Sequence, residues 1–124
     1  MGYGPKGYKN DYLKTEVMSA SPAKLTTMLF EGAIKSIKLA QLAMKNKEIE
    51  KAHNYIRNAE EIIYELSSAI DPSVDKEIAQ QLISLYDFSN NQLRKANISK
   101  DSQQLDSVLN VFVTLLNSWK KIAE

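Results

Sequence analysis

Glu50 and His53 are the two residues whose types and spacing come nearest to metal chemistry. A Glu-x-x-His pair puts a carboxylate and an imidazole on one face of a helix. Two such pairs with two further Glu side chains hold the dinuclear metal centres of ferritin-like bundles. The sequence contains one His, so a second pair cannot exist within one chain. We therefore expect no metal site, and we interpret His53 as a boundary residue that is solvated or hydrogen-bonded.

The sequence also lacks the motifs of nucleophilic and phosphate-handling enzymes. It has no Cys, which excludes thiol nucleophiles, disulfide frameworks and thiolate metal sites. It contains no Gly-x-Ser-x-Gly elbow, and Gly32 is the only Gly past residue 7, which leaves no Gly-rich phosphate loop. We predict no catalytic residue, no bound cofactor and no enzyme activity.

The nearly balanced charge restricts the kind of partner. Among 124 residues, 16 are Lys or Arg and 15 are Asp or Glu. A nucleic-acid surface or a polybasic membrane anchor would show a basic excess. No apolar run approaches the ~20 residues of a membrane span, and the N-terminus shows no apolar secretory signal. We predict one cytoplasmic domain over residues 1–124 that neither binds nucleic acid nor inserts into a membrane.

Helical periodicity organises most of the chain, and no strand pattern is present. Ser21 is a good N-cap and Pro22 is well placed at a first helical position, so the first helix begins there. Asp101 with Gln104 resembles a capping box for the last helix. The predicted helices cover residues 21 to about 45, about 48–70, about 74–96, and from 101 towards the C-terminus.

The short connections between these segments favour antiparallel neighbours. The sequence therefore predicts an all-α fold, an antiparallel up-down-up-down four-helix bundle with a short N-terminal helix or docked arm. Residues 1–7 contain three of the four Gly, and we expect them to form a mobile arm. Tyr8 and Tyr12 begin a pattern that suggests a short helix or a docked segment.

The second and fourth helices carry more apolar positions than the single stripe that a bundle needs. Val111, for example, lies away from the seam that contains Phe112 and Trp119. Contiguous apolar surface often marks a partner site, and helix-in-groove binding uses such surface. Two interpretations stay open: a partner covers the surplus stripe, or the protein's own N-terminal arm does. Both hold if the arm occupies the groove until a partner displaces it.

Two blocks of sequence resemble the flagellar secretion chaperone family, FliS. Residues 17–25 read Val-Met-Ser-Ala-Ser-Pro-Ala-Lys-Leu, and residues 28–34 read Met-Leu-Phe-Glu-Gly-Ala-Ile. Three further features agree with the family pattern. They are Tyr12 placed five residues before the first block, the Leu-Tyr-Asp-Phe element at 85–88 followed by Leu93 and Ala96-Asn97, and Trp119 near the C-terminus. Thr26-Thr27 and Ser89 depart from the pattern at positions that are commonly more apolar, which would alter partner affinity or specificity if either lines a groove.

The resemblance implies a cytoplasmic export chaperone that binds the C-terminal segment of flagellin in a one-to-one complex. Such a chaperone prevents premature polymerisation and assists delivery to the flagellar export apparatus. The resemblance also suggests export-gate components and flagellar regulators as further partners. The alternative is a helical-bundle adaptor for another secretion substrate.

Seven apolar residues are the candidates for a groove that binds the flagellin tail, and we expect about half of them to be ordinary core instead. They are Ile49, Ile56, Ile63, Leu82, Val108, Val111 and Leu115. Tyr8 and Tyr12 are the candidates for an arm that folds back over the groove. That hypothesis predicts tighter tail binding after deletion of residues 1–12.

Overall fold

The computed structural model describes residues 21–123, which form four α-helices and one short 3-10 helix. We number the α-helices in chain order: α1 is Pro22–Lys45, α2 is Ile49–Ser68, α3 is Lys76–Ser99 and α4 is Asp106–Ala123, with the 3-10 helix at Ser102–Leu105. The all-α prediction is confirmed, and no strand occurs within residues 21–123. The single-domain prediction for residues 1–124, its mobile arm and the docked segment all extend outside the described residues.

Local side chains determine where the helices begin. The Ser21 hydroxyl accepts a hydrogen bond of 3.1 Å from the Lys24 amide, and Pro22 follows at the first helical position, as the sequence predicts. The Asp75 carboxylate caps α3 in the same way by accepting from the Ile78 amide at 3.0 Å. Each cap satisfies one backbone amide that the first helical turn leaves without a partner.

The predicted capping box at the start of the last helix is replaced by a different arrangement. The Asp101 carboxylate accepts from the Gln103 amide at 3.0 Å, and the side chain of Gln104 accepts from the Ser99 hydroxyl at 2.6 Å. The Asp101 amide donates to the same hydroxyl at 3.2 Å. The reason is that Asp101 opens a 3-10 helix, and the α-helix proper begins only at Asp106.

Hydrogen bonds between distant residues establish the antiparallel order. Gln41, near the end of α1, donates to the Asp106 carboxylate at the start of α4 at 2.7 Å. Trp119, near the end of α4, donates to Thr27 near the start of α1 at 2.9 Å. These two helices therefore run in opposite directions, and residues 46–48 reverse the chain between α1 and α2.

The core lies along the bundle axis and is apolar. The Phe112 ring lies 6.1 Å from the Tyr86 ring and 6.3 Å from the Phe30 ring, so α1, α3 and α4 meet around it. Between α1 and α2 the backbones approach closely at Gly32, where an added Cβ would lie 3.3 Å from Cδ1 of Ile62. The periodic apolar residues thus bury one face of every helix, which is the main source of stability.

Candidate partner-binding surface

Partly exposed apolar side chains line the seam between α3 and α4. On each helix they recur at spacings that keep them on one face. We call this surface the α3–α4 groove. Its residues are Ile78, Leu82 and Leu85 of α3, and Val111, Leu115 and Ile122 of α4.

Helical geometry shows that these two faces look towards each other. On α3, Asn97 marks the flank facing α2, because its amide lies 2.9 Å from Nδ1 of His53. Leu85 projects from the other flank of the buried stripe, towards α4, given 3.6 residues per turn. On α4, Asp106 marks the flank facing α1, because its carboxylate accepts a hydrogen bond from Gln41 of α1. Leu115 lies two and a half turns further on, on the opposite side of the helix. Leu115 therefore projects away from α1 and towards α3.

A pair of buried aromatic rings lies beneath the groove. Tyr86 of α3 and Phe112 of α4 are stacked with an interplanar angle of 22°. Burial raises the pKa of Tyr86 to about 12 because a phenolate would be poorly solvated there. Tyr86 is 3% exposed and Phe112 has no exposed area, so the two rings support the groove side chains from below and a bound segment would contact those side chains instead.

The walls of the groove grade from half-buried to open. Leu82, Val111 and Leu115 are half-buried, whereas Leu85 is 36% exposed. At the end where α3 begins and α4 finishes, Ile78 is 53% exposed and Ile122 is 78% exposed. Such a surface can bury the apolar face of an amphipathic segment.

Thr27 is one of the two departures from the family pattern. It joins α1 to α4 at the end of the bundle where α1 begins and α4 finishes. Its hydroxyl donates to the carbonyl of Ala23 at 3.2 Å and accepts from Nε1 of Trp119 at 2.9 Å. A more apolar residue would leave the indole nitrogen without this partner. The departure at Thr27 therefore concerns the contact between α1 and α4.

Ser89, the other departure, lies in the core. Its side chain is fully buried, and its hydroxyl donates to the carbonyl of Leu85 at 2.8 Å within the same helix. The polar atom is thus satisfied without a partner from another helix. A ligand in the α3–α4 groove would not touch Ser89.

The seven residues predicted to bind the tail fall into three places. Leu82, Val111 and Leu115 lie together in the α3–α4 groove. Ile56, Ile63 and Val108 have no exposed area and belong to the core cluster. This is a correction for those three positions, because the helices that pack over them leave no surface for a partner.

Ile49 lies at a separate place. It is 63% exposed at the first turn of α2, beside Ile98 at the end of α3. Tyr8 and Tyr12, the predicted covering arm, lie outside the described residues. Partner binding by the other four predicted groove residues, and a covering role for Tyr8 and Tyr12, stay predictions.

Sequence reasoning did not select Ile78, Leu85 and Ile122 for the groove. Their helical spacing places them on the same face as buried residues, so the sequence alone assigns them to the core. They are exposed because α3 and α4 pack less closely than the other neighbouring helices. The Leu-Tyr-Asp-Phe element at 85–88 was the one available signal, since it puts Leu85 next to the buried Tyr86.

His53 forms a hydrogen bond within the bundle. Nδ1 of its ring accepts a hydrogen bond of 2.9 Å from the side-chain amide of Asn97, and the His53 side chain is otherwise exposed. Within residues 21–123 no group of three or more His, Cys, Asp or Glu side chains is arranged to hold a metal ion. His53 is therefore the hydrogen-bonded boundary residue that its position in the sequence predicts.

Comparison with known proteins decides the family. The family model described as flagellar protein FliS matches residues 4–124. The chain belongs to the FliS family. The flagellar secretion chaperone FliS of Vibrio cholerae is 32% identical over 117 residues, covering 94% of this chain and 86% of that protein. FliS of Salmonella typhimurium is 32% identical over 127 residues, with 97% and 90% covered. FliS of Bacillus subtilis is 30% identical over 110 residues, with 89% and 81% covered.

A solved structure supports the same fold. A crystal structure of a bacterial flagellar chaperone superposes with a TM-score of 0.76 at 18% identity, covering 94% of each chain. FliS proteins are secretion chaperones and not enzymes, so the prediction that this chain is not an enzyme is confirmed. None of the helices within residues 21–123 is both long and apolar enough to cross a membrane.

Proposed function

We propose that this member of the FliS family is a cytoplasmic export chaperone that binds the C-terminal segment of flagellin in a one-to-one complex. It prevents that segment from polymerising early and assists its delivery to the flagellar export apparatus. The observation that supports the proposal is the α3–α4 groove, a partly exposed apolar surface among the described residues of a chain of the FliS family. Export-gate components and flagellar regulators are further partners under the same proposal.

The groove suits a segment that folds on binding. An unfolded amphipathic segment has apolar side chains that the groove can shield at about 25 cal/mol per Å² of buried apolar area. Ordering the segment and restricting its motion oppose binding, so affinity requires a long contact surface. Along α3, Ile78 to Leu85 span about 10 Å, and α4 provides a parallel row from Val111 to Ile122. A segment laid along both rows makes such a contact.

The nature of the contact also suits release. Apolar burial on preformed helices involves no covalent bond and no metal ligand. The complex can therefore separate when the export apparatus unfolds or captures the tail. A groove formed by two helices of the folded bundle needs no chemical regeneration afterwards and can bind another molecule.

Isothermal titration tests the proposal directly. The protein is titrated with full-length flagellin from the same cell and with flagellin that lacks its C-terminal segment. We expect one-to-one binding to the first and loss of binding to the second. Equal binding of both would move the contact away from the tail, and binding of neither would favour an adaptor for another secretion substrate.

A matched pair of variants locates the contact. Leu85 and Val113 have similar exposure, 36% and 38%, but Val113 lies on the flank of α4 that faces α1. Leu85→Ser should weaken tail binding about tenfold through lost apolar burial, whereas Val113→Ser should change it less than about twofold. Circular dichroism of both variants checks that the bundle is intact. Equal effects of the two would exclude the α3–α4 groove as the contact.

A further inference from the structure

A second surface with an exposed apolar centre lies at the opposite end of α3. Here the first turn of α2 and the last turn of α3 border a depression of about 660 Å³. Ile49 is 63% exposed and Ile98 is 87% exposed, so two large apolar side chains stand in solvent side by side. We call this surface the turn-end depression, and its lining residues are Ile49, Glu50, His53, Arg94, Asn97, Ile98 and Lys100.

The charged side chains that line the turn-end depression are mainly positive. Arg94 and Lys100 line it together with one carboxylate, Glu50. Within residues 21–123 the single ion pair closer than 4.0 Å joins Lys51 and Glu48, so neither Arg94 nor Lys100 has a carboxylate of the described chain at that distance. Cations beside exposed apolar side chains are complementary to a partner segment that carries both apolar and acidic groups.

A hydrogen-bond chain fixes the polar floor of the depression. The Lys100 ammonium donates to the side-chain oxygen of Asn97, so the Asn97 amide nitrogen must face His53. The amide donates to Nδ1 of His53, and the ring proton of the neutral imidazole therefore resides on Nε2. His53 thus offers a donor to an incoming carboxylate, in a ring that is already oriented.

Two lysines at this end have backbone conformations that usually belong to glycine. Lys47 in the turn after α1 has a φ of 59°, and Lys100 in the turn after α3 has a φ of 57°. They are the only non-Gly residues of the described chain with positive φ. Gly or Asn would adopt this left-handed conformation with less strain. A Lys at a position whose backbone conformation favours Gly or Asn suggests that the positive charge has a function there.

We propose that the turn-end depression docks an acidic amphipathic segment of a partner protein. An apolar side chain of the segment packs between Ile49 and Ile98, and its carboxylates lie near Lys100, Arg94 and Nε2 of His53. The surface is separate from the α3–α4 groove, because Ile98 and Leu82 are about 24 Å apart along α3. A second partner can therefore bind while the groove is occupied, and the inference does not depend on what occupies the groove.

Isoleucine methyl groups report on both surfaces in one experiment. The probe is a synthetic helical peptide of about 18 residues with leucines on one face and glutamates on the other. With ¹³C-methyl isoleucine in the full chain, we expect the signals of Ile49 and Ile98 to shift on titration. Signals of Ile78 and Ile122 in the α3–α4 groove should shift much less. A response of Ile78 and Ile122 that equals or exceeds that of Ile49 and Ile98 would overturn the proposal, as would no response at all.

Two control peptides separate charge from apolarity. Replacing the glutamates by glutamine should weaken binding at Ile49 and Ile98, and raising the salt should weaken binding of the acidic peptide only. Replacing the leucines by serine should abolish binding. Equal affinity of the glutamate and glutamine peptides would overturn the acidic assignment. Phosphatidylglycerol vesicles form a further arm, and vesicle binding that is lost on Ile98→Ser while the peptide fails to bind would assign the surface to lipid instead.

Variants distinguish a binding role from a structural one. Ile98→Ser should weaken peptide binding about tenfold without unfolding the exposed site. Val74→Ser should leave peptide binding unchanged, because Val74 is similarly exposed, at 83%, and lies in neither surface. Lys100→Asn retains a residue suited to positive φ and removes the charge. It should weaken binding about threefold and leave the melting temperature equal or higher. A lower melting temperature with unchanged affinity would mean that Lys100 acts only as a helix cap.

Discussion

Nε1 of Trp119 donates a 2.9 Å hydrogen bond to Oγ1 of Thr27, a residue 92 positions earlier in the chain. The bond joins the last turns of α4 to the first turns of α1, next to the open end of the α3–α4 groove. Both side chains are only partly buried, so water competes for them when the helices separate. Substitution of either residue therefore tests how much this hydrogen bond contributes to the stability of the bundle.

Thr27→Val keeps the shape of the side chain and removes the acceptor for Trp119. We expect the free energy of unfolding to fall by about 1–2 kcal/mol, because the indole N–H loses its partner in a partly buried position. Urea unfolding followed by circular dichroism measures it. Thr26→Val is the matched control, since the Thr26 hydroxyl donates only to the carbonyl of Pro22 at 3.1 Å. An equal loss in both variants would show that the effect comes from the helix and not from Trp119.

Ser89→Ala tests the second departure from the family pattern. The Ser89 hydroxyl is fully buried but bonds only within its own helix, so its removal leaves no other helix without a partner. We expect the free energy of unfolding to change by less than about 1 kcal/mol and tail affinity to change less than about twofold. Calorimetry of the variant with flagellin measures the affinity. A large drop in affinity with unchanged stability would place Ser89 in the binding site after all.

Tyr86 makes the stability of the bundle sensitive to alkaline pH. Burial raises its pKa from about 10 to about 12 in the folded chain. The unfolded chain therefore ionises first, and the stability that is fully present below pH 10 is lost as the pH rises towards 12. The loss approaches about 2–3 kcal/mol at the upper end of that range.

Tyr86→Phe removes this part of the alkaline loss. Urea unfolding of both proteins at pH 8 and pH 11 measures the difference, which should be smaller in the variant. Tyr64→Phe is the control for the loss of a tyrosine hydroxyl at an exposed position, since the Tyr64 side chain is 70% exposed. Superimposable profiles of the wild type and Tyr86→Phe would contradict the assignment to Tyr86.

Deletion of residues 1–12 tests whether the segment containing Tyr8 and Tyr12 covers the tail groove. If it does, the truncated protein should bind the flagellin tail more tightly, because no intramolecular competitor has to leave first. Calorimetry with the full-length and truncated proteins gives the two affinities. Unchanged or weaker binding after truncation would count against a covering arm.

The helices could be predicted from sequence because their signals are local. Ser21-Pro22 marks the start of α1, and the apolar residues of α2 recur at spacings of three and four up to its end. The prediction placed the end of α3 at Ala96, three residues early, because Lys100 ends the helix in a left-handed conformation that its residue type does not suggest. The four-helix order then follows from the short connections.

The partner surface could be predicted only in part, because periodicity does not report how closely two helices pack. Ile56 and Val111 both follow helical spacing, yet Ile56 is fully buried while Val111 is half-exposed. The difference arises from the closer packing of α1 against α2 than of α3 against α4. Ile49 illustrates the same limit. It belongs to the heptad pattern of α2, yet in the first turn of that helix its side chain is 63% exposed.

Helix α3 runs without interruption from Lys76 to Ser99 and contains neither Gly nor Pro. It therefore forms a continuous helical spacer with one proposed binding surface near each end. A partner that carries segments for both surfaces needs a linker able to span about 24 Å, which a flexible chain of roughly 20 residues does on average. Within that reach the second segment binds at a high effective concentration, so two weak contacts give a high overall affinity. The two segments can still dissociate one after the other. Linker length in the partner, and not a change of shape in the bundle, then determines how tightly the two are held together.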